Sequence, residues 1–526
     1  MRYLKFLLFF CLLPTVLLAQ QYDVIIRNGK IIDGAGNPWF YGDVGIIKNK
    51  VAAIGDLSKA NAIKSIDATG LIVAPGFIDV HTHIEGDEKK TPTADNFIYD
   101  GVTTVITGNC GASEVNIKRY FHTLDSIKLS INVATLIGHN DVRRAVLGEA
   151  NITPNADQIK QMQDIVEQAM RDGAVGFSTG LIYLPGLYSK TPEVVALAQA
   201  SAKYKGVYTS HIRNESDKVF EAVAEAIDIG RQANMPVEIS HFKVGKPNWN
   251  RSGEMIAMVE KARAEGLEVT VDQYPYTASS TTLNVLLPDW LLDGGRDSIL
   301  KRLKDPLIHQ KAVKEMIGDM KKRQRAHFDY AVVAHCDADS TLNGKNIQQI
   351  NIAKGRKATI PNEIETILEI TQLGPAAMVF HGMNEDDVKN IMQYPLTMVA
   401  SDSGIRLFGY GVPHPRGYGT NARVLGHYVR EEKVLRLEDA VRKMTSLPAQ
   451  KFHLTGRGLL QPGMFADVVV FDAATVNDES TYEHPHAYSK GFKYILVNGA
   501  LTVDNFKHNG NRNGAILHGP GFIQNQ

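Results

Sequence analysis

The chain has 526 residues, of which 44% are hydrophobic and 22% charged, and its formal net charge is +0. This composition is typical of a globular protein with ample length for a large core. Because the chain has no basic excess, nothing suggests nucleic acid as a partner, and because it has no acidic excess, nothing suggests a solvating tail.

The first residues have the order of a secretory signal peptide. Arg2 and Lys5 precede an apolar run that ends at Leu18 and is followed by small and polar residues. The run is shorter than about 20 residues and contains Pro14, which disfavours a transmembrane anchor. We therefore expect residues 1–20 to be removed and the mature protein, with no membrane span, to be periplasmic or secreted.

The two ends of the remaining chain have the same pattern of short runs in which apolar and polar residues alternate. Residues 21–70 and 456–526 contain runs such as "YDVIIRNGKIIDG" and "FKYILVNGALTVD", in which apolar and polar residues alternate between turn signals. Short alternating runs of this kind indicate β-strands. The two regions together predict one small β-sandwich domain built from both terminal regions.

Residues 71–455 alternate short apolar strands with amphipathic helical stretches, such as "DQIKQMQDIVEQAMRDG". Strand–helix alternation over this length favours a parallel α/β barrel or a doubly wound sheet. Nine candidate strands can be marked, from "LIVAPGFIDVH" to "LTMVASD", whereas a TIM-like (β/α)8 barrel holds eight. We expect the extra strand to lie near a charged, helical insertion at about 283–375, which could form a lid.

Polar residues that bind metals recur where these strands end. "GFIDVHTH" places two histidines at positions i and i+2, which face the same side of a strand. A barrel enzyme collects its catalytic residues at the carboxyl ends of its strands, and this mixture of N, S and O ligands suits Zn²⁺. The candidate ligands are His81, His83, Cys110, His211, His241 and Asp402.

Two further cysteines need separate explanations. Cys11 lies in the apolar N-terminal run, and Cys336 lies in the insertion, where we expect a buried packing residue. His335 and Asp339, which are close to Cys336 in the chain, do not amount to a second site.

The motifs together resemble the amidohydrolase superfamily, and within it the N-acyl-D-amino-acid deacylases (D-aminoacylases). "APGFIDVHTH" is the general signature, while "GVTTVITGNCG", "SHIRNES" and "PHPRGYGTNARVLGHYVR" are more specific to the deacylases. The resemblance runs from about residue 25 to about residue 475, which is nearly the whole mature chain.

The resemblance implies a role for each candidate residue. One zinc ion is expected to be tightly bound by Cys110, His211 and His241, and a second possible site is expected near His81 and His83. Asp402 is implied as the catalytic aspartate as well as a metal ligand. The implied residues that bind the substrate carboxylate are Lys243, Arg416, Tyr274, Tyr183 and Ser280.

The resemblance also implies the reaction. We expect zinc-dependent hydrolysis of the amide bond of small-molecule N-acyl-D-amino acids, or of dipeptides with a C-terminal D-residue, to a carboxylate and a free D-amino acid. Two alternatives remain: a cyclic amidohydrolase of the dihydropyrimidinase or hydantoinase type, and a non-catalytic solute-binding protein. The first usually carries a strand-end lysine, where this chain has "GFSTG", and the second would have lost ligands that are all present here. The sequence leaves the side-chain preference and the oligomeric state open.

Overall fold

The structure is a computed structural model that describes residues 21–523. The predicted signal peptide, residues 1–20, lies outside the described residues. Among the helices of residues 21–523, none is long and apolar enough to span a bilayer.

Strands dominate both ends of the chain, and strands alternate with helices between them. In chain order the strands are β1 (Gln21–Ile31), β2 (Phe40–Ile47), β3 (Lys50–Gly55), β4 (Asn61–Asp67), β5 (Ile72–Pro75), β6 (Phe77–Asp79), β7 (Val102–Thr107), β8 (Asn132–Thr135), β9 (Ile137–Gly138), β10 (Gly176–Gly180), β11 (Val207–His211), β12 (Val237–Ile239), β13 (Val269–Gln273), β14 (Ala278–Thr282), β15 (Ala331–Cys336), β16 (Ala376–His381), β17 (Thr397–Val399), β18 (Val468–Phe471), β19 (Phe492–Val497), β20 (Ala500–Asp504) and β21 (Lys507–His508).

The helices follow the same order, and a π-helical segment, Val424–Glu431, continues one of them directly. The α-helices are α1 (Asp95–Ile98), α2 (Ile117–Ile127), α3 (His139–Leu147), α4 (Ala156–Arg171), α5 (Thr191–Ala202), α6 (Val219–Ala233), α7 (Ser252–Ala264), α8 (Asp289–Leu292), α9 (Gly295–Leu303), α10 (Pro306–Lys322), α11 (Ile347–Ala353), α12 (Ile360–Leu373), α13 (Glu385–Gln393), α14 (Arg416–Arg423), α15 (Leu437–Met444) and α16 (Ser446–Lys451).

The two ends of the chain form one nine-stranded sheet. Its order is β21-β20-β19-β18-β5-β1-β2-β3, with β4 pairing in parallel with β1. The sheet curls, because the Val51 amide donates to the Met464 carbonyl and the Ala466 amide donates to the Asn49 carbonyl. The apolar residues of the alternating runs point inward, where Ile26, Val44 and other buried side chains form a separate core.

A single residue joins this sheet to the next part of the molecule. The predicted strand "LIVAPGFIDVH" is divided at Gly76 into β5, which pairs with β18 in the terminal sheet, and β6, which pairs with β7. A Cβ atom at position 76 would lie 2.2 Å from the Thr103 Oγ1, so only glycine fits there without movement. The terminal sheet therefore extends to residue 75, beyond the predicted boundary at residue 70.

The middle of the chain closes into an eight-stranded parallel barrel. Its positions are filled in order by β6, β7, β8 with β9, β10, β11, β12, β13 and β17. The ring closes where the Asp402 amide donates to the His81 carbonyl and the His83 amide donates to the Ser403 carbonyl, both at 2.9 Å. These two bonds bring the first and last strand ends of the barrel together.

The outer helices form where the sequence predicts them. In α4, the Asn155 side chain accepts from the Gln158 amide, and the Gln158 side chain accepts from the Asn155 amide, which completes a capping box. Met162 and Val166, one turn apart on the same face, are fully buried against the barrel core.

The extra candidate strand, which is the eighth of the nine in chain order, lies outside the barrel. "AAMVFHG" forms β16, the central strand of an antiparallel sheet with the order β14-β16-β15. This sheet and helices α8 to α12 make up the insertion, which has its own core. The insertion predicted at about 283–375 therefore runs from β14 to β16, residues 278–381. It contains the expected helices and, in addition, an antiparallel sheet that the sequence did not indicate. Alternation of apolar residues identifies a strand but not its partners.

The last described residues return to the barrel. The Val133 amide donates to the Ala515 carbonyl, and the Leu517 amide donates to the Val133 carbonyl. The Gly519 amide donates to the Gly173 carbonyl at the start of the strand after α4. Residues 511–523 thus lie against the barrel rather than within the terminal sheet to which the sequence assigned them.

Candidate metal centre and substrate cavity

Six side chains with metal-binding atoms converge at the carboxyl ends of the barrel strands. Three sets of these atoms, with all members of a set within 4.8 Å of one another, can be drawn from the six. The sets are Cys110, His211 and His241; His81, His83 and Cys110; and His81, His241 and Asp402. The structure therefore brings all the ligand candidates from the sequence into one cluster.

The first set has the dimensions of a zinc site. The Cys110 Sγ lies 3.6 Å from the His211 Nδ1 and 3.6 Å from the His241 Nε2. Tetrahedral zinc, with bonds of about 2.3 Å to sulfur and about 2.0–2.1 Å to nitrogen, separates two such ligand atoms by about 3.6 Å. The donor set and its spacing thus fit a zinc ion, and all three residues are buried.

The second and third sets share atoms with the first. The His81 Nε2 lies 3.2 Å from the Cys110 Sγ and 3.7 Å from the Asp402 Oδ1, and the His83 Nε2 lies 3.2 Å from that same oxygen. Cys110 is close enough to both groups to bridge two ions. The donor atoms of His81, His83 and Cys110 therefore form a candidate for a second metal position.

Three of these residues have backbones that non-glycine residues rarely adopt. The φ angles are +53° at Cys110, +36° at His241 and +50° at Asp402. A left-handed backbone costs roughly 1–2 kcal/mol at each such residue, and such strain is concentrated at functional sites. All three lie where a strand turns into its loop, and the turn directs the side chain towards the barrel axis.

Two carboxylates behind the ligands fix the orientation of the imidazoles. The Asp272 Oδ2 lies 3.1 Å from the His81 Nδ1, and its Oδ1 accepts from the His241 amide at 2.7 Å. The Glu215 Oε1 lies 3.0 Å from the His241 Nδ1. A carboxylate that holds one ring nitrogen leaves the other nitrogen free for a metal.

Sequence reasoning did not assign roles to Asp272 and Glu215. Asp272 lies inside the apolar strand β13 and is completely buried, and a charged residue in a central strand is a usable signal because burying it alone is costly. Glu215 belongs to the motif "SHIRNES", but nothing in its spacing indicates that it folds back onto His241.

Electrostatics favour the metal-binding forms of the two anionic candidates. Burial raises the pKa of the Cys110 thiol, but the charge of His81 and the hydrogen bonds from His211 and His241 outweigh it and hold the pKa well below its usual range. Burial likewise raises the pKa of Asp402, but the charges of Arg416 and His81 and the hydrogen bond from His83 together outweigh it and hold the pKa well below its usual range. The surroundings therefore favour the thiolate of Cys110 and the carboxylate of Asp402, which are the forms that bind a metal.

The residues expected to bind a carboxylate surround the ring of Tyr274. The Arg416 guanidinium lies 4.5 Å from the ring centroid and the Lys243 Nζ lies 5.6 Å from it. The Arg416 Nη1 is 2.8 Å from the Asp402 Oδ2, and the Lys243 Nζ donates to the Glu215 Oε1 at 2.5 Å. Among the described residues, the buried Arg416 Nε and Tyr274 hydroxyl have no hydrogen-bond partner. These two groups can donate to an incoming carboxylate.

Tyr183 and Ser280 line a cavity of about 540 Å³, here called the metal cavity, together with Cys110, Asp402 and Arg416. The Tyr183 hydroxyl accepts from the Thr281 hydroxyl at 2.9 Å, and its ring packs 4.8 Å from the ring of His211. Ser280, on strand β14, contributes its carbonyl, which accepts from the Arg416 Nη2 at 3.1 Å. The insertion thus supplies one wall of the metal cavity.

The second described cysteine lies away from this cluster. Cys336 is completely buried at the end of β15, and its thiol is free. His335 Nε2 pairs with Asp337, 2.8 Å away, while Asp339 caps a short turn by accepting from the Thr341 amide. None of these residues belongs to a potential metal-binding group among residues 21–523.

A (β/α)8 barrel whose strand ends carry a thiolate, four imidazoles and an aspartate belongs to the class of metal-dependent hydrolases. Comparison with known proteins gives the family. Residues 64–503 match the model of the amidohydrolase family, and the chain belongs to that family. This result confirms the fold class and the enzyme class predicted from the sequence.

Two curated relatives match nearly the whole chain. A D-aminoacylase from Alcaligenes xylosoxydans xylosoxydans is 34% identical over 95% of this chain and 98% of its own length. An N-acyl-D-glutamate deacylase from the same organism is 35% identical over 92% of this chain and 94% of its own length.

A solved structure is similar over the same extent. It is that of N-acyl-D-glutamate deacylase from Bordetella bronchiseptica, complexed with zinc and a phosphonate inhibitor that mimics the tetrahedral intermediate of the reaction. The TM-score is 0.82 and the identity 35%, and the match covers 95% of this chain and 100% of that one. These comparisons confirm the resemblance that the motifs of the sequence indicated.

Proposed function

We propose that this protein is a zinc-dependent hydrolase of N-acyl-D-amino acids that releases a carboxylate and a free D-amino acid. The observation that carries the proposal is the pairing of a zinc-sized Cys110, His211 and His241 set with the Asp402–Arg416 ion pair beside it. The handedness of the substrate is taken from the D-specific relatives.

Zinc held by Cys110, His211 and His241 would supply a Lewis acid for the amide carbonyl and lower the pKa of water to about 7. His81 and His83, with Cys110 and the neighbouring Asp402, would hold a second ion. The lowered pKa values of Cys110 and Asp402 favour the anionic forms that zinc requires, and binding of zinc would displace protons from the imidazoles.

Asp402 is placed to move the proton. It is ionised, and its Oδ1 faces the histidines while its Oδ2 faces Arg416. An ionised carboxylate at this position can accept a proton from the attacking water and deliver it to the leaving nitrogen, which must be protonated to depart. Asp402 would thus act first as general base and then as general acid.

The carboxylate of the substrate would bind between Arg416, Tyr274 and Lys243. The unpartnered Arg416 Nε and Tyr274 hydroxyl are buried donors, so an anion that accepts from both would remove the cost of leaving them unsatisfied. The Lys243 ammonium, which is paired with Glu215, lies 5.6 Å from the centroid of the same ring and offers a further charged donor. Tyr183 and Ser280 would close the wall around the reacting amide.

The cyclic-amide alternative receives no support from this site. Strand β10, with the sequence "GFSTG", presents no lysine to the metal cluster, and Cys110 occupies the position between the two ligand groups. The Arg416–Tyr274 donors instead suit a free carboxylate, which a cyclic amide does not offer.

The test uses zinc-loaded protein with N-acetyl-D-amino acids, their L-enantiomers and the corresponding carboxamides, and measures release of the amine. We expect turnover of the D-acids, little turnover of the L-acids, and poor turnover of the carboxamides. Equal rates on acids and carboxamides would contradict the carboxylate site. Turnover of L-acids alone would contradict the D-specific assignment.

We also propose export to the periplasm or the medium. The order of charged, apolar and small residues in positions 1–20 supports it. N-terminal sequencing of protein recovered from cell fractions would test it, since a mature N-terminus near residue 20 is expected.

A further inference from the structure

A second chamber opens beside the metal cavity. It measures about 680 Å³ and lies between the strand-end loops of the barrel and the insertion. Lys243 and Glu215 line the chamber, whereas Cys110 and Asp402 line the metal cavity. The two spaces adjoin each other, since they share the lining residues Ile182, Thr281, Asn284, Val285 and Leu292.

The placement of the carboxylate-binding residues decides which half of a substrate faces the chamber. Lys243 lines the chamber, whereas a depression lined by His83 and Arg144 shares lining residues with the metal cavity but none with the chamber. If the α-carboxylate binds at Arg416, Tyr274 and Lys243, as the proposed function requires, the amino-acid half of the substrate faces the chamber. The acyl half then faces His83.

The wall of the chamber has more cations than carboxylates can neutralise. Two cations are paired, Arg213 with Glu225 at 2.9 Å and Lys243 with Glu215 at 2.5 Å. Within residues 21–523, five lining cations have no carboxylate oxygen within 4.0 Å, whereas only two lining carboxylates, Glu221 and Asp289, lack a cation at that distance. The unpaired cations are Lys190, Lys218, Lys246, Arg323 and Arg325.

Arg323 and Arg325 are the half-buried members of this group on the insertion side. The Arg323 Nη2 donates to the Val285 carbonyl at 3.4 Å, and Val285 lines both the chamber and the metal cavity. The Arg325 Nη2 donates to the His381 carbonyl at 2.7 Å, and its guanidinium lies 4.6 Å from the Tyr330 ring. Each guanidinium has five N–H donors, so both are anchored and still have donors for an anion.

We propose that the D-residue of the substrate has an acidic side chain and that Arg323, assisted by Arg325, binds the side-chain carboxylate. The inference rests on the proposed function, because it places the side chain relative to the α-carboxylate. The chamber is larger than an aspartate or glutamate side chain needs, so longer acidic side chains also fit it.

The test compares kcat/KM for N-acetyl-D-glutamate with that for N-acetyl-D-glutamine, which has the same shape without the charge. N-acetyl-D-aspartate with D-asparagine, and N-acetyl-D-2-aminoadipate, set the length of the side chain. The acid should exceed the amide by at least about tenfold, the low end expected for a charge-assisted hydrogen bond. A ratio near one in every pair would overturn the proposal.

Arg323→Met should lower the ratio of kcat/KM for N-acetyl-D-glutamate to that for N-acetyl-D-glutamine by about 10- to 100-fold. Arg323→Lys, which retains the charge, should keep part of this preference. Lys321→Met is the matched control, because Lys321 is exposed two residues earlier and does not line the chamber. An unchanged ratio in Arg323→Met, or an equal fall in Lys321→Met, would overturn the role of Arg323.

N-succinyl-D-leucine places the extra carboxylate on the acyl half. The ratio of kcat/KM for N-succinyl-D-leucine to that for N-acetyl-D-leucine should be smaller than the ratio for N-acetyl-D-glutamate to N-acetyl-D-glutamine. If the two ratios were equal, the chamber would not be specific for a carboxylate on the amino-acid half. Hydrolysis of N-acetyl-D-leucine without preference for any acid would overturn this inference alone. If no N-acyl-D-amino acid were hydrolysed by zinc-loaded protein, the proposed function itself would fail.

Discussion

The metal cavity (the metal end) and the adjoining chamber (the chamber end) are built in different ways. At the metal end, buried side chains from several barrel strands are held by backbone turns and by the carboxylates Asp272 and Glu215. At the chamber end, half-exposed arginines come from an insertion that has its own core. The difference teaches that the barrel fixes the chemistry, while a separately packed unit can alter substrate choice without moving a metal ligand.

Removal of the shared cysteine should have the largest effect. Cys110→Ala takes a ligand from both metal positions, so zinc content and kcat/KM should fall by more than the roughly 10- to 100-fold typical of a change behind the ligands. Zinc analysis after dialysis, alongside the amine-release assay, measures both. Cys336→Ala, which removes a buried thiol from the insertion, is the control and should retain zinc. A Cys110→Ala protein with full zinc would show that the cysteine only packs.

Asp402→Asn should separate chemistry from metal binding. The amide keeps the shape but cannot take the proton, so kcat should fall by about 10²–10⁴, the usual worth of general acid–base catalysis. Because Cys110, His211 and His241 are untouched, zinc at that position should remain. A kcat within about twofold of the wild type, where general acid–base catalysis predicts far more, would remove the proton-transfer role from Asp402.

Glu215→Gln should lower zinc affinity by removing the carboxylate that orients the ligand His241. Its carboxylate holds the His241 Nδ1 and neutralises Lys243, so zinc affinity or activity should fall by about 10- to 100-fold. Competition with a chelator gives the affinity. Glu225→Gln is a matched control, since Glu225 pairs with Arg213 on the same side of the barrel and contacts no ligand. Equal affinities in the two variants would mean that Glu215 does not position His241.

Substitution of the α-carboxylate donors should act on one class of substrate. Arg416→Met and Lys243→Met should each lower the ratio of kcat/KM on an N-acyl acid to that on its carboxamide by about 10- to 100-fold, since a charge-assisted hydrogen bond contributes about 1.5–3 kcal/mol. The ratio is the useful measurement for Arg416, because this residue also contacts Asp402. Variants that lose activity equally on acids and carboxamides would contradict a role in carboxylate binding.

Destabilising the core of the insertion should have the smallest effect on activity and should leave the zinc content unchanged. Leu368, in α12, is completely buried in the core of the insertion, and Leu368→Ala should destabilise that unit by about 2–5 kcal/mol. We expect KM to rise and zinc content to stay constant. Leu373→Ala, on the same helix but half-exposed, is the control. Loss of zinc in Leu368→Ala would show that the two ends of the cavity are not independent.

The sequence could predict which candidate ligands lie together at the metal cavity, because their positions follow a local rule. Strand-end position and i, i+2 spacing place His81 and His83 on one side, and their rings lie 5.3 Å apart in the structure. Glu215 escaped prediction because its contact with His241 depends on the path of a loop. The antiparallel sheet of the insertion escaped for a similar reason, since β14 and β16 pair across nearly 100 residues of chain.

The one-residue joint at Gly76 has a mechanical consequence. The backbone leaves the terminal sheet at Pro75 and enters the first barrel strand at Phe77, five residues before Thr82 pairs with the last strand end. Because only Gly76 separates the two strands, there is no flexible linker between the sheet and the barrel, and the sheet fixes the position of the barrel strand that leads to His81 and His83. A chain that lost either half of that sheet would lose the anchor of its metal site as well, although none of the sheet's residues touches the metal-binding atoms.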